Sequence, residues 1–527
     1  MVMRILVRAD TYYDSVILMR ISNAIADLDG ILQAAVVMAT ATNKVLLENL
    51  DLLIEEAEAA SPNDLVIALD AKDDASIDAA LLEVDRLLTA RDERAEGEVF
   101  PKTLNSAIRA MPDANLVMIS VPGHFAAREA KKALKRGLNV FMFSSNVSIE
   151  DEVELKQLAL EKGLLMMGPD CGTAIINNII LGFGNAVNPG TIGIVAAAGT
   201  GLQQVSTIIH SEGHGVSQAI GIGGNDLSKE VGGIMMLEGL RRLEQDDSTK
   251  GIVLVSKPPN QVVSDKVLAA ASQSSKPIVV NFLGGNLDEI KSKGCVGAAT
   301  LEDTAKAICA IMKNKEPLPI IFDADHGDVV SLAKKEYSNF SNEQQYVRGL
   351  YTGGTLYYEA MLLLTPLLSD LYSNAPLTSK QKLEDANVSV GNTCVDLGSE
   401  ELTMGRPHPM IDYRLRSQRI VQEGVISETA VILLDVVLGL GSHDDPASEL
   451  IPAITEAKNE AKKNGRYLSV IASIVGTSLD HQDLQKQRDA LEDAGVIVMP
   501  SNAQAVRLAA LIATKGSAQD MLFEEGL

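Results

Sequence analysis

The sequence predicts an α/β protein built from four successive units, with strands and helices alternating so as to form parallel sheets. Three observations predict it. Short Val/Ile/Leu-rich runs alternate with segments of helical period along most of the chain. Many of these runs end in Gly or Ser just before the next helical segment, as at Ala198-Gly199-Thr200-Gly201 and Thr352-Gly353-Gly354-Thr355. The length of 527 residues accommodates three or four domains at roughly 100–200 residues each. Strands separated by helices imply right-handed crossovers and parallel pairing.

The elements follow in order. Residues 1–95 read as a small N-terminal α/β domain, with strands at Met3–Arg8, Ile31–Met38 and Asp64–Leu69 and helices at Asp14–Asp27, Asn43–Ala59 and Asp74–Ala90. The charged run RDERAEGE (91–98) marks a boundary. Residues 96–190 form a second unit, with strands LVMIS, NVFMFS and LLMMG and a helix VPGHFAAREAKKALKRG that stops at Gly137. Residues 191–315 form a third, with strands IGIVAAA, VSQAIGI, GIVLVSK and KPIVVNFLG. The polar stretch 316–345 reads as a linker with little core. Residues 346–515 repeat the scheme through VRGLYTGG, NTCVDLG, VILLDVVLG, YLSVIASIVG and GVIVMPS. The third and fourth units read as two copies of one doubly wound topology.

Composition excludes some functions. With 46 Lys+Arg against 70 Asp+Glu the net charge is −24, a surface that repels a phosphate backbone, so no nucleic acid is expected. Trp is absent and aromatics make up 4%, which leaves few platforms for base stacking. No run of about 18 uncharged apolar residues occurs, so no membrane span is expected. MVMRILVRAD does not read as a signal peptide, because charges interrupt its short apolar run. Cys171, Cys295, Cys309 and Cys394 form no CxxC pair and no zinc spacing, so no metal site is expected and a cytoplasmic setting fits.

In open parallel sheets ligands sit outside the carboxyl ends of the strands, and here those ends carry the glycines. The candidate phosphate- or substrate-binding residues are Gly172, Thr173, Gly199, Thr200, Gly201, Gly224, Asn225, Gly353, Gly354 and Thr355. A helix starting just after such a turn presents free N–H groups and partial positive charge to an anion. GxxxxGK[ST] is absent, as is GxGxxG after the first strand. His408 and Arg406 in MGRPHPMID are the candidate catalytic pair, Arg as a carboxylate fork and His as an acid or base. His124, His443 and Lys257 rank behind them. His210, His214, His326 and His481 are expected on solvated surfaces.

The stretches TYYDSV (11–16), MATATNK (38–44), FSSNVSIEDE (143–152), GLLMMGPDCGTAII (163–176), AAAGTGLQ (196–203), GLYTGGTL (349–356), GRPHPMID (405–412) and LDVVLGLG (434–441) resemble the FdrA family of acyl-CoA-synthetase-like proteins. More distantly, residues 101–313 look like the α subunit of succinyl-CoA ligase and residues 346–513 like the C-terminal domain of its β subunit. The resemblance implies a Rossmann-like domain of the CoA-binding type followed by two flavodoxin-like domains of the succinyl-CoA-ligase type. It implies that Gly168–Thr173 leads into a helix facing the ligase's phosphorylated histidine, and that Gly294-Cys295-Val296-Gly297-Ala298 stands where that histidine would be. Cys295 would then replace the nucleophile of the relay, and it reads as inert because nothing nearby lowers its pKa. The relative's opening Gly-rich CoA loop is missing, so CoA does not carry over with the fold. No ATP-grasp module is present.

What the resemblance implies first is a subunit of a carbamoyl- or acyl-phosphate-transferring enzyme. Specifically, it points to oxamate carbamoyltransferase of allantoin catabolism, which converts oxalurate and phosphate to oxamate and carbamoyl phosphate. Second stands an acyl-CoA synthetase with a separate nucleotide-binding partner, and third a non-catalytic scaffold. Phosphate or carbamoyl phosphate is the expected ligand, with no certain cofactor. The expected partners are other protein subunits, in an oligomer.

Overall fold

The computed structural model describes residues 2–9, 11, 13, 15–26, 28–40, 43–44, 47–48, 52–95, 101–403 and 407–523. The chain divides into two compact units, one ending at Met111 and the other comprising Pro112–Thr403 and Pro407–Leu527.

The first unit holds β1 (Val2–Arg8), α1 (Ser15–Ala26), β2 (Ile31–Met38), a short helix Glu55–Ala59, β3 (Leu65–Ala71) and α2 (Asp74–Ala95). The sheet order is β1-β3-β2, and both pairs are antiparallel. Parallel pairing therefore fails here. The long return from β2 brings β3 back between its predecessors, and its LVIALDA run is the most buried of the three. Part of the helix expected over 43–59 lies outside the described residues. Ile25, Val36, Leu65, Ile67, Leu69, Ile77 and Val84 form the main core of this unit.

In the second unit a three-stranded parallel sheet comes first: β4 (Leu116–Ile119), α3 (Gly123–Lys135), β5 (Asn139–Met142), α4 (Ile149–Glu161) and β6 (Met166–Met167). Next come the hairpin β7 (Thr173–Ile176) and β8 (Ile179–Gly182), β9 (Pro189–Ala196), α5 (Gly199–Ser211), β10 (Val216–Gly221) and α6 (Ile234–Gln245). They are followed by β11 (Gly251–Ser256), α7 (Gln261–Ala271), β12 (Ile278–Phe282), β13 (Val296–Gly297), α8 (Leu301–Met312) and α9 (His326–Tyr337). The last layer comprises β14 (Tyr346–Tyr351), α10 (Gly354–Leu367), β15 (Leu371–Tyr372), β16 (Asn392–Asp396), α11 (Arg414–Val425), β17 (Thr429–Val437), α12 (Pro446–Lys463), β18 (Ser469–Val475), α13 (Leu484–Asp493), β19 (Ile497–Met499) and α14 (Asn502–Ala513).

The two large sheets run β13-β12-β11-β9-β10-β7-β8 and β15-β16-β14-β17-β18-β19. Their cores, β10-β9-β11-β12-β13 and β16-β14-β17-β18-β19, share the 2-1-3-4-5 order of the flavodoxin-like fold. This places the switch points between β9 and β11 and between β14 and β17. The hairpin β7–β8 pairs with β10, so the first large sheet begins at Thr173 rather than near 191. One core runs through both sheets, and α5 and α14 are buried almost all round within it. The stretch 316–345 is more than a linker. Asp325 caps α9, and its Val329, Ala333 and Glu336, spaced 4 and 3 apart, form one buried face. Glu336 accepts hydrogen bonds from Tyr467 at 3.0 Å and Ser469 at 2.8 Å.

Candidate functional site

The two switch points meet end to end. Thr200 Oγ1, in the first turn of α5, accepts the Thr355 N–H of α10 at 3.2 Å. Small residues permit this approach. A Cβ on Gly201 would lie 2.9 Å from Thr355 Cγ2, and one on Gly353 would lie 3.0 Å from Thr200 Cγ2. The α10 turn is pinned by Asp435, a carboxylate near the carboxyl end of the apolar strand β17. Asp435 accepts Thr352 N–H at 2.8 Å, Gly353 N–H at 2.7 Å and the Thr352 hydroxyl at 3.0 Å. The Arg416 guanidinium reaches it at 2.9 Å, and both side chains are 0% exposed. Buried charges are tolerated when paired and hydrogen-bonded; Asp435 gives its remaining bonds to the turn, while Arg416 also donates to Leu350 O and Asp435 O.

The donors divide accordingly. The N–H groups of Gly353 and Thr355 are taken by the protein. Among the described residues no protein acceptor takes Gly199, Thr200, Gly201 or Gly354 N–H, and Ala198 offers no side-chain cap. Such orphan donors at the start of a long helix, here 13 residues, are a ready anion seat. The Thr173 hydroxyl lies 3.5 Å from where a Gly199 Cβ would sit.

Titratable side chains line the same place. His408 Nε2 and Asp396 Oδ1 stand 3.1 and 3.3 Å from the position of a Cβ on Gly398. Burial holds the imidazolium pKa of His408 down to about 4, against an opposing pull from Asp435, so the ring is neutral at pH 7. Its Nδ1 accepts Met410 N–H at 3.3 Å, which assigns the ring proton to Nε2, on the side of Asp396. Burial pushes Asp396 up to about 6, and Lys257 counters it. Asp170 is raised for the same reason, again against Lys257. The Lys257 ammonium sits 5.3 Å over the Tyr358 ring. The site therefore joins an anion seat, a neutral imidazole N–H donor, a carboxyl poised near neutrality and one cation.

Of the residues expected from sequence, Gly199, Thr200, Gly201, Thr173, Gly353, Gly354, Thr355, His408 and Lys257 come together here, with Gly172 beside Thr173. Arg406 lies outside the described residues. Gly224 and Asn225 are exposed, and the Asn225 amide is engaged with Glu152 at 3.4 Å, next to the buried Lys156–Glu152–Asp226 cluster. His124 is exposed at the start of α3 against Phe125. His443 caps its own turn by accepting Asp445 N–H at 3.1 Å. His210 is half-buried and accepts Asn188 N–H at 3.1 Å, so it is not a solvated surface histidine. No helix follows Gly168–Thr173, because β7 begins at Thr173.

Cys295 also needs correction. It follows the turn after helix Leu287–Ser292 and enters β13, where Val296 pairs with Val279 near the amino end of β12. It thus stands at the opposite edge of the sheet, about 13 Å along the strand from the cradle at ~3.3 Å per residue. Burial alone raises its pKa, so its thiol is not a nucleophile for this site. Sequence reasoning passed over Asp396 and Asp435. The available signal was a lone carboxylate inside the apolar runs NTCVDL and VILLDVV, where an unpaired charge would be prohibitive.

Three family models match the chain. They are described as AllF, heavy metal-associated domain, at residues 1–102; CoA binding domain, at 187–284; and CoA-ligase, at 350–512. The uncharacterised protein YahF of Escherichia coli K12 is 44% identical over 517 residues, covering 98% of this chain and 99% of that one. The succinate–CoA ligase [ADP-forming] α subunit of Methanothermobacter thermautotrophicus is 27% identical over 35% of this chain, which spans 63% of that subunit. A dinucleotide-forming acetyl-coenzyme A synthetase of Ca. Korarchaeum cryptofilum, solved with phosphate and ADP, aligns over 76% of this chain and 82% of its own. Its identity is 16% and its TM-score 0.31, a loose similarity only. The metal named for the first domain does not fit its residues. Positions 1–102 contain no Cys and no His, and the described residues contain no cluster of His, Cys, Asp and Glu suited to a metal.

Proposed function

The chain belongs to the FdrA-like family of the succinyl-CoA-ligase superfamily, and from that premise we propose that it is the phosphate-handling subunit of a carbamoyl-phosphate-forming transferase. The specific reaction is oxalurate plus phosphate giving oxamate plus carbamoyl phosphate. One observation carries this reading: two abutting helix starts at paired switch points, with the N–H groups of Gly199, Thr200, Gly201 and Gly354 left for an anion. Phosphate seated there is held by oriented dipoles that need no reorganisation during reaction. A phosphate oxygen attacks the carbamoyl carbon while its bond to the oxamate nitrogen breaks. His408 Nε2–H donates to the carbonyl oxygen as negative charge builds on it, and Lys257 offsets the surrounding carboxylates. Catalysis then rests on positioning and electrostatics, without a phosphoenzyme. The test is to incubate the purified assembly, partner subunits included, with oxalurate and phosphate. Carbamoyl phosphate is the expected product, and its absence refutes the reaction.

A second reading is favoured by the CoA-ligase and CoA-binding matches. It makes the chain part of an acyl-CoA synthetase whose nucleotide site lies on a partner. It predicts CoA binding by calorimetry and acid-labile protein phosphate with ATP. The Nε2–H tautomer of His408 and the remoteness of Cys295 weigh against a phosphoenzyme on this chain.

A further inference from the structure

Phosphorolysis of a carbamoyl–nitrogen bond must move one proton. Hydrogenphosphate brings a P–OH, carbamoyl phosphate leaves as a dianion, and the departing amide nitrogen needs a hydrogen. We propose that Asp396 is the catalytic residue that carries this proton, giving it to the leaving nitrogen and regaining it from the phosphate hydroxyl. This rests on the reaction proposed above.

Placement singles this carboxyl out among the three at the site. Asp435 is sealed, and its oxygens are engaged by Thr352, Gly353 and Arg416. No hydrogen bond orients the Asp170 side chain among the described residues. Asp396 is both fixed and open. Its backbone is clamped by Asn374, which receives Asp396 N–H at 2.9 Å and donates to Asp396 O at 3.0 Å. Its Oδ1 accepts Gly398 N–H at 3.0 Å. Oδ2 has no protein partner among the described residues and is not sealed from the cleft. That oxygen lies 3.3 Å from where a Gly354 Cβ would sit, beside an N–H of the anion seat. The missing side chains of Gly354 and Gly398 leave room for substrate on either side of the carboxyl. The groups facing it are Lys257, His408 and Asp435, and its raised pKa lets it exist in both protonation states near neutrality.

The step balances. Phosphate attacks through an unprotonated oxygen, forming C–O. The C–N pair leaves on nitrogen and takes the proton of the Asp396 carboxyl. Acylation acidifies the remaining P–OH, which returns a proton to the carboxylate. No other reactant is required.

The test compares wild type and Asp396→Asn, in the complete assembly, on two carbamoyl donors with phosphate. Oxalurate loses a basic nitrogen, whereas p-nitrophenyl carbamate loses a phenolate that needs no proton. Asp396→Asn is expected to lower kcat on oxalurate by about 10²–10⁴-fold and on the phenyl ester by less than about tenfold, with phosphate bound at least as tightly as by wild type. Asp396→Glu should recover part of the oxalurate rate, and melting curves separate misfolding from lost chemistry. Equal losses on both donors, in a variant that folds and binds phosphate, overturn the role of Asp396 alone. A wild type that makes no carbamoyl phosphate from either donor refutes the reaction, and the proton carrier with it.

Discussion

Asp435→Asn tests how the cradle is held. The carboxylate takes four hydrogen bonds, from two backbone N–H groups, one hydroxyl and the Arg416 guanidinium. An amide cannot satisfy them in either orientation. With its NH₂ in place of Oδ1 it faces Thr352 N–H and Arg416. With its NH₂ in place of Oδ2 the Thr352 hydroxyl can turn to accept, but Gly353 N–H still meets a donor. A buried donor left unpaired costs about 1–3 kcal/mol. Arg416, fully buried, also loses its counter-charge, and breaking one side of a buried pair costs roughly 3–5 kcal/mol in all. At about 2–4 °C per kcal/mol for a domain of this size, the melting temperature should fall on the order of 10 °C. The assay is thermal unfolding by circular dichroism at pH 7.5, with Thr352→Val as the comparison. That variant removes a single hydroxyl bond, worth about 1 kcal/mol. A fall for Asp435→Asn no larger than that for Thr352→Val would refute the reasoning.

Other consequences follow from the same geometry. Gly201→Ala puts a methyl 2.9 Å from Thr355 Cγ2 and should part the two helix starts, weakening phosphate binding about tenfold or more in calorimetry while costing about 1–3 kcal/mol of stability. Sulfate, which does not titrate in this range, should bind about tenfold more tightly as pH falls through about 6, where Asp396 loses its charge. His408, with a pKa of about 4, contributes only below that window. Glu359 accepts Leu301 N–H at 2.7 Å and the Asn502 amide at 2.8 Å, and burial raises it to about 7. The folded state therefore binds more protons than the unfolded chain between about 4.5 and 7, and stability falls as pH rises through that interval. Glu359→Gln should flatten this dependence, gaining about 3 kcal/mol on wild type between pH 4.5 and 8, as read from urea unfolding.

Much of the layout was legible because strand–helix alternation and Gly-terminated strands are local signals. They marked the strand ends at residues 199–201 and 353–355 and nine of the residues that gather at the candidate site. The antiparallel N-terminal sheet was not legible, since strand order depends on which run claims the buried centre, and LVIALDA does so here. Nor could sequence say which N–H groups remain free. Gly353 and Thr355 read the same as Gly354, yet Asp435 and Thr200 consume their donors. Cys295 was misplaced because a turn into an edge strand and a loop leaving one have similar residues. His124, His443 and Asn225 sit at strand ends like the residues of the candidate site, but each is engaged elsewhere.

The most direct measurement is a crystal structure of the full chain with phosphate. The expected result is one phosphate whose oxygens accept Gly199, Thr200 and Gly201 N–H, with Gly354 N–H and His408 Nε2 at its rim. An empty seat at saturating phosphate, or an anion bound elsewhere with those N–H groups turned to protein carbonyls, would contradict the account.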